Sequence, residues 1–163
     1  MSIRRAEMKD VESIMAIFNH AIEHTTAVYN YEPYSFEMMQ EWYLAKINKG
    51  RPILVYEQDN KAIAFATYDN FRLRPAYQFS VEHSVYVDIN YRKNGIAKAL
   101  MLKLIELAQA EGIHTLIGGI DAENAVSADF HEKLGFKEVA HLAQVGYKFN
   151  RWLDLKFFQL ILK

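Results

Sequence analysis

Cysteine is absent from the 163 residues. That excludes disulfides, thiolate metal sites and a cysteine nucleophile, and it leaves the redox compartment undecided. Proline and glycine are scarce, at 3 and 7 residues, so there is no linker and no low-complexity tract. The chain is expected to form one domain, residues 1–163. No apolar run approaches the length of about 18 residues that a transmembrane helix needs. The start, Met1-Ser2-Ile3-Arg4-Arg5, lacks the apolar stretch of a signal peptide, and the cytoplasm is the expected compartment. An excess of one charge is also missing. The net charge of −1 offers no field to nucleic acid or to an anionic membrane, and neither is expected as a partner. Neither common phosphate loop, G-x-x-x-x-G-K-[ST] or G-x-G-x-x-G, occurs. His20, Glu23 and His24 fit the H-x-x-E-H pattern of one metallopeptidase class. The pattern comes without a third ligand, and no metal is expected.

What is present is an ordinary globular composition, 51% hydrophobic and 24% charged. Within it lies one distinctive stretch. Residues 84–88 are β-branched and aromatic and read as a strand. Ile96, Leu100, Leu104 and Leu107 recur at helical spacing. Between them sits a short basic turn, Arg92-Lys93-Asn94-Gly95-Ile96-Ala97-Lys98. A strand that feeds a helix through a glycine turn collects unpaired backbone N–H groups at one point. The helix dipole and three cations add positive charge there. The turn is an anion site suited to a pyrophosphate.

The rest of the chain reads as follows. Residues 3–7 form a strand, and Asp10 caps a helix running to about residue 23, with Val11, Ile14, Met15, Phe18, Ala21 and Ile22 on one face. Residues 25–33 form an aromatic-rich loop. Ser35 caps a second helix that Lys49-Gly50 ends. Residues 53–57 and 62–68 form a hairpin around Asp59-Asn60. A basic loop, residues 72–75, precedes a long strand, residues 78–87. The main helix ends near Gly112, and residues 115–120 form a strand. Asn124 opens a short helix that Gly135 stops. Residues 137–144 and 153–162 are strands joined by a loop at 145–151. The order β-α-α-β-β-β-α-β-α-β-β predicts a single-domain α/β fold with a mixed central sheet.

Arg92, Gly95 and Ala97 fill the R/Q-x-x-G-x-G/A signature of the GCN5-related N-acetyltransferases, and the order of elements resembles that fold. Three further stretches resemble the phosphinothricin and methionine sulfoximine acetyltransferases. They are Val81-Glu82-His83-Ser84-Val85-Tyr86-Val87, the run from Asn124 through Ser127 to His131-Glu132-x-Leu134-Gly135-Phe136, and the run from Gly146 through Lys148, Trp152 and Asp154 to Gln159. The departure is Ala97, where many relatives have a second glycine. The resemblance implies an acetyl-CoA-dependent enzyme, a homodimer, and a small amino acid-like acceptor. It implies that the strand before the turn splays from its neighbour, with the pantetheine arm in the wedge near Val85, Tyr86 and Val87. Arg92, Lys93, Asn94, Gly95, Ile96, Ala97 and Lys98 would hold the pyrophosphate.

Several side chains carry two readings. Glu82 interrupts an apolar strand, where an isolated charge is expensive to bury. It is a general base with a raised pKa, as the resemblance also implies, or a structural partner of an arginine. Its strand parity places Ser84 on its face and His83 on the other. Arg72 and Arg74 stand eight to ten residues upstream of Glu82. They are either solvated or a bidentate grip for an acidic group, with Arg74 the first choice. Tyr77 and Phe79 make an apolar wall or core. Asn124 is a helix cap and, by resemblance, a cofactor contact. His131 is packed in its helix or reaches the thioester. Tyr147 and Lys148 lie in a loop with no role assigned. A module that binds acetyl-CoA without turnover is the competing class, and Glu82 argues against it.

Overall fold

The computed structural model describes all of residues 1–163. The elements in chain order are β1 (Ser2–Arg5), α1 (Val11–His24), α2 (Phe36–Asn48), β2 (Ile53–Gln58), β3 (Lys61–Asn70), β4 (Ser80–Val87), α3 (Ile96–Ala110), β5 (Thr115–Asp121), α4 (Ala125–Lys133), β6 (Lys137–Lys148) and β7 (Arg151–Ile161). Seven strands make one sheet in the order β1-β2-β3-β4-β5-β7-β6. Only β4 and β5 pair in parallel, and every other neighbour is antiparallel. No helix is long and apolar enough to cross a membrane.

Period-2 alternation sends side chains of the central strands into two cores, one on each face of the sheet. Ile53, Val55 and Phe65 meet Ile14 and Ile17 of α1 and Met39 and Tyr43 of α2. Leu54, Ala64, Ala66 and Val81 meet Leu100, Met101 and Leu104 of α3. The helices therefore clamp the sheet exactly where the sequence alternates, and β4 stands in the middle with one face toward each layer.

Local chemistry moves some boundaries from those expected. β1 stops at Arg5 because a 3₁₀ turn, Met8–Asp10, intervenes before α1. Asp10 does not cap α1. Its carboxylate instead accepts from the Glu7 backbone N–H at 2.7 Å and from the Arg4 guanidinium at 2.7 and 3.0 Å. Ser35 does cap α2, its hydroxyl accepting from the Met38 N–H at 3.1 Å. β4 begins at Ser80 because Pro75 seeds a 3₁₀ turn, Pro75–Tyr77. The expected loop at 145–151 is mostly strand. β6 and β7 meet at a tight turn in which Phe149 and Asn150 both take positive φ, 53° and 59°.

Lys148 explains why that hairpin is held in place. The residue is 4% exposed. Its ammonium donates to the carbonyls of Ile22, Thr25 and Val28 at 2.6, 2.8 and 2.6 Å. It thus ties the β6 end to the C-terminus of α1 and the chain after it, where the helix dipole favours a cation. Lys148→Met should strand three carbonyls and cost roughly 3 kcal/mol. For a chain of this length that is a fall in melting temperature of about 6–12 °C. Thermal unfolding followed by circular dichroism checks it, and an unchanged melting temperature would refute the staple.

Candidate active site

The parallel pairing of β4 with β5 lasts for three residues, 80–82 against 115–117. β4 stays with β3 as far as Val87, and β5 stays with β7 as far as Asp121. Beyond Glu82 and Ile117 the two strands therefore part, as the resemblance implies. The parity of the gap follows from one bond. The Asp88 N–H donates to the Ile63 carbonyl at 2.9 Å, so even-numbered residues of β4 bond to β3. The backbone groups of Val85 and Val87 face the gap instead. A small cavity of about 70 Å³ lies in this wedge, lined in part by Val85, Tyr86, Gly119 and Asn124.

The basic turn lies just past the open end. A 3₁₀ turn, Ile89–Tyr91, is capped by the Asp88 carboxylate, which accepts from the Asn90 N–H. Arg92 leans back, its Nε donating to the Val87 carbonyl at 3.4 Å, and the Asn94 amide donates to the Tyr91 carbonyl at 3.3 Å. Lys93 and Gly95 take positive φ, 68° and 74°. These left-handed residues turn successive N–H groups to one side. Gly95 is the N-cap of α3 and brings no side-chain acceptor. The N–H groups of Ile96, Ala97 and Lys98 thus point out of the helix without intrahelical acceptors. Arg92, Lys93 and Lys98 are exposed around them.

On the α1/α2 face a larger cavity, about 380 Å³, borders Glu82, Ser84 and Tyr86 of β4. Its walls include Phe18, Trp42 and Phe65. The sequence expects Glu82 to be buried, and the structure corrects this. Glu82 is exposed at the cavity's edge. Its surroundings still desolvate the carboxyl enough to push its pKa up, while the Arg72 guanidinium pulls it back down. Burial pushes the Tyr86 phenol up to about 12, so this tyrosine stays protonated.

Two consecutive glycines of β5 make room for chemistry on opposite faces. A Cβ on Gly119 would stand 3.2 Å from Glu82 Oε2. A Cβ on Gly118 would stand 2.9 Å from His83 Cε1 and 3.2 Å from His131 Nε2. The two imidazoles meet above Gly118 with their Nε2 atoms 2.9 Å apart. His131 Nδ1 lies 2.8 Å from the Ser127 carbonyl, which can only accept. Nδ1 therefore carries the proton, and His131 Nε2 accepts from His83 Nε2–H. Burial, with the Coulombic effect of His131, drives the His83 pKa down to about 3, and burial also lowers that of His131. Both are neutral and packed, as the sequence favours for His83.

The other named residues fall in two groups. Arg72 lies over the Phe71 ring at 5.2 Å, close enough for its field to reach Glu82. Tyr77 packs edge-on against the same ring at 6.1 Å. Arg74 heads the 3₁₀ turn, exposed and without an ion pair. The structure thus brings Arg72, rather than Arg74, within reach of Glu82. Phe79 is exposed and belongs to no core. Asn124 is a cap, its side-chain oxygen accepting from the Ser127 N–H at 3.0 Å, and it also borders the wedge. Tyr147 is exposed against Trp152, and Lys148 is the buried staple. His20 and His24 lie side by side at the end of α1 with their rings tilted 46° at 4.8 Å, and no group of three or more His, Asp or Glu is placed to hold a metal. Sequence reasoning missed Lys46 and Asp69, which border the larger cavity. It also missed Gly118 and Gly119, for which glycine inside a strand was the available signal.

The model of the acetyltransferase (GNAT) family matches residues 15–136. The chain is a GNAT acetyltransferase. It is 38% identical over 160 residues to the L-methionine sulfoximine/L-methionine sulfone acetyltransferase of Salmonella typhimurium, spanning 98% of this chain and 94% of that one. It is 31% identical over 159 residues to the phosphinothricin N-acetyltransferase of Alcaligenes faecalis, spanning 97% and 81%. The structure of a putative acetyltransferase from Salmonella typhimurium with its cofactor acetyl-CoA superposes with a TM-score of 0.97 at 38% identity, covering 100% of this chain and 94% of that one. The wedge and the basic turn of this acetyltransferase fit acetyl-CoA. The gap-facing backbone groups of Val85 and the Val87 N–H suit the amides of its arm, and the Arg92–Lys98 turn suits its phosphates.

Proposed function

We propose that this GNAT acetyltransferase moves the acetyl group of acetyl-CoA to the α-amine of a small amino acid-like substrate, such as methionine sulfoximine, methionine sulfone or phosphinothricin. Residues 1–163 act as one catalytic domain and pair as a homodimer. The observation that carries the reading is the position of Glu82. Its carboxylate stands over Gly119, where β4 and β5 part, with the larger cavity beside it. Acetyl-CoA supplies the thioester carbonyl. Glu82 takes the proton of the attacking amine, directly or through water. The backbone N–H of Val85, which faces the gap beside Tyr86, polarises the thioester oxygen. Val87, Arg92, Lys93, Asn94, Gly95, Ile96, Ala97, Lys98 and Asn124 hold the rest of the cofactor. Transfer is direct, since the chain has no cysteine to carry an acetyl group. Exposed Val145, Tyr147, Phe149 and Trp152 on the β6–β7 hairpin supply an apolar face for the second copy.

Arg72, Arg74 and Tyr77 receive the polar end of the acceptor, with Arg72 foremost because it faces Glu82. The test is thiol release from acetyl-CoA against a panel of amino acids, sulfones and sulfoximines. On methionine sulfoximine, Arg72→Ala should lower kcat/KM by about 10- to 100-fold, the worth of one charged hydrogen bond. Arg72→Lys should recover part of it, because the fork geometry is lost. Arg74→Ala should cost less. Equal losses on an uncharged amine of similar size would show that the arginines do not read the acceptor's polar end.

A further inference from the structure

The larger cavity has one cation in its wall, apart from the Arg72 of the neighbouring loop. Lys46 on α2 is 5% exposed and borders the same space as Glu82. Its ammonium donates to the Tyr68 carbonyl at 2.9 Å. It lies 3.4 Å from Asp69 Oδ2 and 5.6 Å from the centre of the Trp42 ring. The Asp69 contact is longer than an ordinary hydrogen bond. Asp69 is also shared, because Lys49 approaches the same oxygen at 3.7 Å. Two lysines against one carboxylate leave one positive charge unmatched. An ammonium has three donors, and Tyr68 uses one of them at full strength. Buried cations are seldom left in that condition without a partner. Asp69 stands directly across from Glu82 in the β3–β4 register. Lys46 is therefore one side chain away from the base.

We propose that Lys46 binds the α-carboxylate of the amino acid whose α-amine Glu82 deprotonates. This rests on the acceptor reading above and deepens it. An amino acid with a polar side chain has an amine flanked by two polar ends. Glu82, at the cavity's edge, has a cation on either hand: Arg72, exposed on its loop outside the cavity and felt by the carboxylate, and Lys46, buried in the cavity wall beside the apolar residues. The side-chain end, which varies between acceptors, goes to the exposed loop. The carboxylate, which does not vary, goes to the buried charge. An amine without a carboxylate leaves the ammonium desolvated and unmatched, so the site rejects it. Lys46 thereby restricts the enzyme to α-amino acids among amines.

The experiment compares methionine sulfone with 3-(methylsulfonyl)propylamine, which has hydrogen in place of the carboxylate. Wild type should prefer the amino acid by at least about 10-fold in kcat/KM, the low end for a charged hydrogen bond. Lys46→Met should lower kcat/KM on methionine sulfone by about 10- to 100-fold, chiefly through KM. It should raise kcat/KM on the decarboxylated amine, or at the least not lower it, because the unmatched ammonium that rejects this amine is gone. Lys46→Arg should keep most of the preference. Equal losses on both substrates, or a wild type that does not distinguish them, would overturn the assignment; the second comparison needs no folded variant. A wild type that acetylates other α-amino acids but not methionine sulfone refutes the proposed acceptor instead. The role of Lys46 is then decided on such an amino acid and its decarboxylated counterpart.

Discussion

Glu82→Gln should lower kcat by about 10²- to 10⁴-fold at neutral pH, the range for a lost general base. Glutamine keeps the size of the side chain and its fit over Gly119, so binding of acetyl-CoA should survive. The loss should shrink as pH rises and the free amine no longer needs a base. In the wild type, the acidic limb of the kcat/KM profile should lie above the ordinary carboxylate range, because desolvation raises the Glu82 pKa more than Arg72 lowers it. Activity is present above that raised pKa and is lost as pH falls through it. Stability moves the other way. A carboxyl whose folded pKa is raised favours the fold in its protonated form, so ionisation at neutral pH opposes folding. Glu82→Gln should therefore melt no lower than wild type at pH 7. Steady-state kinetics across pH and a thermal melt together check the assignment. Wild-type turnover at every pH would remove Glu82 from the mechanism, and a fall in both activity and melting temperature would assign it a structural role.

Gly95→Glu should weaken acetyl-CoA binding by about 100-fold or more, some 2.7 kcal/mol. Space is not the obstacle, since a Cβ at Gly95 would meet nothing within 4 Å. The φ of +74° strains any L side chain there. A glutamate also brings a negative charge among the N–H groups of the first turn of α3, where the phosphates would sit. Gly95→Ala carries the strain without the charge and should lose much less. Calorimetric titration of both variants separates the two causes. Equal losses would attribute the effect to backbone strain, and unchanged affinity in the glutamate variant would refute the anion site at this turn.

Much of the fold was legible because the residues that decide it act locally. The 4, 4, 3 spacing of Ile96, Leu100, Leu104 and Leu107 defines one face of α3 wherever that helix packs. Asp59 and Asn60 tolerate positive φ, and the hairpin forms around them at 52° and 61°. The Arg92–Lys98 turn declares its anion site through Gly95 and its own cations. Asp10 shows where local reading stops. Its type suits a helix cap, but Arg4 and the Glu7 N–H are nearer partners once β1 is in the sheet. The 145–151 segment reads as a loop because the bond from Lys148 to carbonyls more than 100 residues away is invisible along the chain.

The site divides in the same way. Sequence pattern alone singled out Glu82, since a lone carboxylate in an apolar strand is costly and asks for a reason. Its exposure at the edge of a cavity, and its nearness to Arg72 rather than Arg74, were decided by how β4 lies against β3, β5 and the preceding loop. Lys46 and Asp69 lie more than 20 residues apart in the chain, and only the pairing of β3 with β4 and the packing of α2 against β3 bring them near Glu82. Gly118 and Gly119 drew no reading from the sequence, and the sheet shows their use by placing His83 over one face and Glu82 over the other. Periodicity and turn chemistry are properties of neighbouring residues, so the sequence by itself determined most of the elements, their order and the basic glycine turn before α3. Charge pairing, desolvation and close approach depend on distances between residues far apart in the chain, so only the tertiary structure decided which side chains share the larger cavity.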